Sequence, residues 1–453
     1  MRAEEARADY KVVATGQDGW PVMTIEEVAD VNPRVDKAAI PDDLPVSFVP
    51  MPAVGAGDGS IQVEQTRLAG EVKKGFTAFL EGDVLFAKIT PCMENGKMAV
   101  VPKLVNGYGF GSTEFHVLRP KAGMDAKYLY YYVSSQAFRG EAERYMTGAV
   151  GQKRVSTTYL KQSTIPVAPL DQQKRIVAEI EKQFSRLDEA VANLKRVKAN
   201  LKRYKAAVLK AAVEGRLVET EAELACREGR SYETGAQLLQ RILETRRSQW
   251  QGKGKYKEPA APNASNLPEL PEGWVWSTIG QVAECLDSMR IPVNKKERLN
   301  RSGDIPYYGA NGRVGYIDDY IFNEPLILVV EDETFTGREL PFSYKIVGKS
   351  WVNNHAHVLR PTDMVTLDYL NYALSFYPFT PLTTGTTGRK KLTQHALVTA
   401  PLGIPPMPEQ HRIVAEVDRR LSLLRATEAQ VDANLQRAER LRQSVLSRAF
   451  AGK

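Results

Sequence analysis

The stretch from Asp171 to Arg216 holds no proline, and its one glycine, Gly215, lies at its end. Ile180, Leu187, Leu194, Leu201 and Val208 recur every seven residues, and Ile176, Phe184, Val191, Val197, Tyr204 and Ala211 form a second series between them. Two interleaved apolar series make one seam along a helix, the pattern that pairs it with another helix. At 1.5 Å per residue the helix is roughly 65 Å long, too long to be wrapped by one small domain, so it reads as a spacer.

A partner for that seam closes the chain. Gln173-Lys174-Arg175-Ile176-Val177-Ala178-Glu179 returns as Gln410-His411-Arg412-Ile413-Val414-Ala415-Glu416. At the same offset and without a gap, Val208-Leu209 returns as Val445-Leu446 and Gly215 as Gly452. The seam of the second rod is Val417, Leu424, Val431, Ala438 and Val445. Two similar rods that must each bury a stripe most simply pair with each other.

The globular parts repeat as well. Gly19-Trp20, Thr24-Ile25 and Val28-Ala29 match Gly273-Trp274, Thr278-Ile279 and Val282-Ala283. His116-Val-Leu-Arg-Pro120 matches His357-Val-Leu-Arg-Pro361, and Ile165-Pro166 matches Ile404-Pro405. The architecture is globule, rod, globule, rod. In the first globule Val46–Pro50, Asp83–Ile89, Met98–Pro102 and Glu114–Arg119 read as strands and Tyr128–Phe138 as a short helix. A helical period runs roughly from Thr220 to Trp250, and the Lys/Gly/Pro/Ala/Asn-rich stretch at 251–266 reads as a linker. The rods align without gaps while the globules agree only at framework points, which suggests two domains held alike and asked to recognise different things, the alternative being simple drift of two packing domains.

At 453 residues the chain has room for two or more domains with sizeable cores. A formal net charge of +7 permits a polyanionic partner. The first rod is more pointed, with twelve Lys/Arg against six Asp/Glu. Cys92, Cys226 and Cys285 are far apart and odd in number, which fits a reduced, cytoplasmic setting. No apolar run approaches the roughly 20 residues of a membrane span, and the N-terminus lacks the apolar core of a secretory signal.

Candidate contact residues are polar or cationic groups on turns. Lys88, Thr90, Asn95 and Lys97 lie in KITPCMENGK, a turn that either reaches phosphates and base edges or is simply solvated. Two glycine- and threonine-rich loops occupy equivalent places, 147–154 and 384–391, and end in Gln152-Lys153-Arg154 and Arg389-Lys390-Lys391. Glycines let backbone N–H groups approach phosphate and the cations add charge-assisted bonds, so recurrence at one place favours DNA contact over mere flexibility. Asn311 and Arg313 follow a tyrosine pair, and Asn353 and Asn354 follow Trp351. Asn can read adenine and Arg guanine in the major groove, although Asn311-Gly312 is equally a hairpin turn. His116 and His357 read as core hydrogen-bonding groups rather than metal ligands, and Glu331-Asp332-Glu333 as a solvated strand end. No metal site is expected, since Glu94 with Lys97 lacks the aspartate that would complete one.

Several activities lack their motifs. There is no GxxxxGK[ST] phosphate loop. Asn32-Pro33-Arg34 and Ile305-Pro306-Tyr307-Tyr308 both fail the catalytic tetrad of amino-methyltransferases, and no FxGxG cofactor loop is present. The chain reads as a recogniser of DNA rather than an agent acting on it. A self-contained adenine methyltransferase or restriction enzyme of related lineage, and a coiled-coil scaffold with no DNA role, are the competing expectations.

LPEGWVWSTIGQVAE, DVLFAKITPCMENGKMAVV, GSTEFHVLRP, PLDQQKRIVAEIEKQFSRLD and PPMPEQHRIVAEVDRRLSLL together resemble the specificity subunit of type I restriction–modification systems, over essentially the full length. The resemblance implies an α+β fold, with two mixed α/β target-recognition domains separated and joined by two long antiparallel coiled-coil helices in a pseudo-two-fold repeat. The corresponding ranges are 1–170 and 267–403 for the recognition domains, 171–216 and 404–453 for the helices, and 217–266 for the helical segment and linker. It implies that each domain reads one half of a bipartite, asymmetric site in double-stranded DNA. It also implies assembly with two modification subunits and with restriction subunits, which would carry S-adenosylmethionine, ATP and Mg, leaving this chain without a cofactor. The first domain departs from the pattern, with Gln17-Asp18-Gly19-Trp20 in place of LPxGW.

Overall fold

A computed structural model describes residues 19–62, 65–149, 151–252, 254–332, 338, 340–385 and 390–451. The polar start at 1–18, Glu333, Arg389 and Gly452 lie outside the described residues. The chain forms two compact units, Met1–Lys195 with Asp432–Lys453, and Arg196–Val431.

In the first unit a short antiparallel pair, Val22–Thr24 with Thr164–Pro166, joins the ends of the globule. One four-stranded antiparallel sheet runs in the order Ala29–Val31, Phe115–Pro120, Val84–Ala87, Met98–Val100. A second runs Gln65–Leu68, Pro45–Val49, Tyr108–Gly111, Thr77–Leu80, and its middle pair is parallel. All of Val84–Ala87 is buried. Successive side chains of a strand leave opposite faces, so Val84 and Phe86 enter one core while Leu85 and Ala87 enter another.

The second unit repeats this topology strand for strand. Val275–Thr278 pairs with Pro401–Ile404. The two sheets run Ala283–Cys285, Ala356–Pro361, Leu326–Val330, Ser343–Ile346, and Gly312–Ile317, Ile305–Gly309, Lys349–Val352, Phe322–Asn323. Here too the parallel pair is the middle one, Ile305–Gly309 with Lys349–Val352. Agreement therefore reaches well beyond the framework points that match in sequence, and the interiors differ in side chains and loops rather than in strand order.

The stretch expected as one helix over Tyr128–Phe138 is two, Ala126–Ser134 and Gln136–Arg144. Ser135 is extended, and its hydroxyl accepts from the Phe138 N–H at 3.3 Å, a serine N-cap that starts a new helix where the old one stops. The 220–250 segment likewise divides into Glu221–Glu228 and Gly235–Ser248, with Gly229 left-handed at φ 64° between them. Leu238 and Ile242 bury themselves in the second unit's core. Arg246 donates to the Gly280 and Gln281 carbonyls at 2.7 and 2.9 Å. At the equivalent turn of the first unit Glu26 and Glu27 are exposed, and Lys121 donates to the Glu26 carbonyl at 2.6 Å.

The rods are the helices Leu170–Val213 and Met407–Ala451. In the first unit Leu446 shares a core with Val177, Ile180 and Phe184. Arg442 pairs with Asp188 and lies 4.2 Å over the Phe184 ring. In the second unit Val208, Leu209 and Ala212 share a core with Ile413, Val417, Leu421 and Leu424. Within each unit the two helices run antiparallel. Ile180, Val208, Val417, Leu424 and Val431 are buried, and Leu187, Leu194, Leu201 and Val445 are half-buried. Val197 and Tyr204 of the second apolar series are 41% and 47% exposed. A straight α-helix drifts about 20° per heptad against a 3.5-residue repeat, which carries such positions off the seam. Among the described residues no helix is long and apolar enough to cross a membrane.

Candidate nucleic-acid interface

The repeated His-Val-Leu-Arg-Pro strands hold each unit's frame at two points. At the far end, Arg119 makes a bidentate pair with Asp83 (2.8 and 2.8 Å), and Arg360 does the same with Glu324 (2.6 and 2.6 Å). At the near end the histidines tie down a returning loop, His116 Nε2 donating to the Val155 carbonyl at 2.9 Å and His357 Nε2 to that of Leu392 at 2.8 Å. The other ring nitrogen differs between the units. His116 Nδ1 accepts from the Asn32 carboxamide at 3.1 Å, and burial holds this imidazole below its ordinary pKa. His357 Nδ1 instead lies 2.5 Å from an Asp287 oxygen. Asn32 and Asp287 each also take the backbone N–H that follows the histidine, at 3.0 and 2.9 Å.

The segments that these histidines hold lead out of the two glycine-rich loops. Each loop is closed by one antiparallel bridge, Thr147 with Arg154 and Thr384 with Lys391. Arg154 gives Nε and Nη2 to Glu114, both at 2.9 Å, and Nη1 to the Gln152 carbonyl. Lys391 pairs with Glu331 at 2.8 Å. Both cations are thus held from within the chain. Gln152 and Lys153 are exposed beside them, Lys390 is half-buried, and Arg389 lies outside the described residues.

The model of the type I restriction modification DNA specificity domain matches residues 17–203 and 271–436, two copies that together cover most of the chain. The chain belongs to this family. Among curated proteins it is 28% identical to the EcoAI specificity subunit of Escherichia coli, over 88% of this chain and 77% of that one. It is 29% identical to the E. coli EcoEI specificity subunit over 62% and 53%. A chain from a structure of complex assembly and conformational transition in the type I R-M system shares the fold at a TM-score of 0.69, with 19% identity over 98% of this chain and all of that one. The HsdS subunit of Thermoanaerobacter tengcongensis matches at a TM-score of 0.50, with 19% identity over 97% and 98%.

In this specificity-family chain the remaining candidates divide by surroundings. Lys97 lies across the turn at 51–54, donating to the Met51 and Val54 carbonyls at 3.2 and 2.7 Å, and so acts as an internal brace. Thr90 donates to Glu94 at 2.8 Å and lines, with Lys153 and Arg144, a cleft of about 690 Å³. Asn95 is exposed, and Lys88 lines a separate cleft with Arg34, Lys37 and Thr113. In the second unit Asn311 and Arg313 are exposed on the hairpin that joins Ile305–Gly309 to Gly312–Ile317. Asn311 accepts from Arg338 at 2.7 Å, and Arg313 lies 4.8 Å over Tyr316. Asn353 accepts from the His355 N–H, and Asn354 is exposed. Tyr307 belongs to the core, donating to the Val293 carbonyl, rather than to the turn.

Glu331 corrects the expectation of a solvated strand end. It is 5% exposed and pairs with Arg290 as well as Lys391. Burial opposes its charge, yet the bonds from Arg290 and Lys391 hold its carboxyl below the usual range. Cys285, Asp287 and His357 present atoms within 4.8 Å of one another, a grouping compatible in principle with a metal ion. Both Asp287 oxygens are already engaged, by His357 and by the Val358 N–H, and burial pushes the Cys285 thiol up to about 12. The group repeats the framework role of Asn32 and His116. Glu114, Arg290 and Asp287 escaped the sequence, and Glu331 was read there as solvated, because the bonds to Arg154, Glu331, His357 and Lys391 join residues far apart in the chain.

Proposed function

We propose that the chain is the DNA-recognising, non-catalytic component of a type I restriction–modification complex, each unit reading one half of a bipartite, asymmetric site in double-stranded DNA. The observation that carries this is the recurrence, in two units of one topology, of the same bridged cationic loop at the same place. Lys/Arg groups on those loops would hold phosphates, and exposed polar groups such as Asn95, Gln152, Asn311 and Asn354 would meet base edges. The long helices would carry two modification subunits. Restriction subunits would complete the assembly, in the cytoplasm. S-adenosylmethionine, ATP and Mg would be bound by those partners, with none bound here.

Lys153→Ala and Lys390→Ala each weaken binding across sequences and reduce the salt slope by about one, leaving base preference intact. Equilibrium binding to random-sequence duplex over a salt series measures this. Unchanged binding in the double variant removes the loops from the account. A wider check is the map of methylated adenines in the host genome with and without this chain, where one bipartite sequence should lose its methylation when the chain is absent.

A further inference from the structure

The loop roots of the two units are built from the same positions, with the carboxylate supplied from a different one. Ladder register places Lys88 of the first unit where Glu331 stands in the second, since Phe86 pairs with His116 and Val329 with His357. The bonds just beyond agree: the Lys88 N–H donates to the Glu114 carbonyl and the Glu331 N–H to that of His355, while the Val155 and Leu392 N–H groups donate back to Lys88 and Glu331. Position by position, Lys88, Glu114 and Arg154 therefore become Glu331, His355 and Lys391. The cation that closes the loop is constant in sign, and the carboxylate that receives it has moved from one strand to its neighbour. In the first unit it comes from the residue before Phe115–Pro120, in the second from the residue after Leu326–Val330.

From this geometry we infer that Glu114 and Glu331 are positioning residues for DNA recognition: each clamps the root of its loop and so sets where the adjacent lysine, Lys153 or Lys390, is presented. The inference rests on these loops being DNA contacts. Adjacent residues at a strand bridge project to opposite sides. Arg154 turned inward to Glu114 leaves Lys153 outward, and Lys153 is indeed exposed. A second tie crosses the same place, the Thr90 N–H donating to the Lys153 carbonyl at 3.0 Å. The two clamps share no residue and belong to different compact units, so loss of one leaves the other loop in place.

The test measures binding of the full chain, in its native complex, to a library of random-sequence duplexes, with the bound fraction sequenced and the unfolding midpoint recorded in parallel. Glu114→Gln is expected to lower affinity about tenfold and to blur base preference in one half-sequence only, and Glu331→Gln to do the same in the other half. The exchange E114R with R154E is expected to recover the sharp preference. A neutral outcome for E114Q and E331Q, alongside weakened binding by K153A and K390A, overturns the clamp and leaves the loops as contacts. If K153A and K390A are neutral as well, the loop contacts fall and the clamp with them. Glu331 is deeply buried, and E331D takes the place of E331Q if that variant does not fold. Glu114 is less buried, so the first unit carries the test on its own.

Discussion

One histidine per unit does the same job with a different neighbour, and the difference has a pH signature. His116, bonded to Asn32 and Val155, is held below 6.5 by burial. The unfolded chain therefore takes up a proton first as pH falls, so stability present above about pH 6.5 is lost as pH drops toward the folded value. Asp287 and Glu331 behave as depressed carboxylates. Burial opposes their charge, but bonds from His357 to Asp287, and from Arg290 and Lys391 to Glu331, outweigh it. Their contribution is present above the ordinary carboxylate range and is lost only as pH falls through the lowered values. Hydrogen exchange against pH should show the first unit loosening at milder acidity than the second. His116→Gln should flatten that early loss, and parallel profiles for variant and parent would remove His116 as its cause. The histidines' core role was legible in their apolar strand context. Their partners were not, because Asn32 and Asp287 lie 84 and 70 positions upstream, just past the short strands Ala29–Val31 and Ala283–Cys285, and no periodicity links them.

Among the elements, the long helices were the most legible, because a seven-residue apolar repeat is a global signal that survives local exceptions. The exceptions are Val197 and Tyr204, where helical drift takes an apolar position off the seam. Leu446→Ala, which empties a site 3% exposed, is expected to cost about 2–5 kcal/mol. Val197→Ala, at a site 41% exposed, is expected to change stability by less than about 0.5 kcal/mol. Thermal unfolding of the two variants checks both, and equal losses would mean that Val197 faces a partner helix after all. The sheets were half legible. Val84–Ala87 and Met98–Val100 stand out as apolar runs. Val22–Thr24, Ala29–Val31 and Thr164–Pro166 are three residues each, and Gln65–Leu68 is exposed at every position, so pairing rather than pattern defines them. The division of the 126–144 segment turned on the single residue Ser135, and that of the 221–248 segment on Gly229 and the Thr234 N-cap that bound the six-residue connection 229–234.

For the whole molecule, duplication is the organising fact: one topology twice, with a cationic loop rooted in the same ladder positions each time. The repeat was visible in sequence only at its framework, because strand order is preserved by backbone pairing while side chains in the sheets and loops changed freely. If the helices, as spacers, set the gap between half-sites, one heptad added at 187–194 and matched in the facing part of the second long helix adds about 10 Å. That is about three base pairs of duplex. Selection of bound sequences by the full complex, repeated for parent and lengthened chain, tests the central claim most directly. The account predicts two short preferred blocks separated by unspecified base pairs in both selections, with the same blocks and a gap wider by about three base pairs in the second. A single contiguous block, or a gap that does not move, would contradict it.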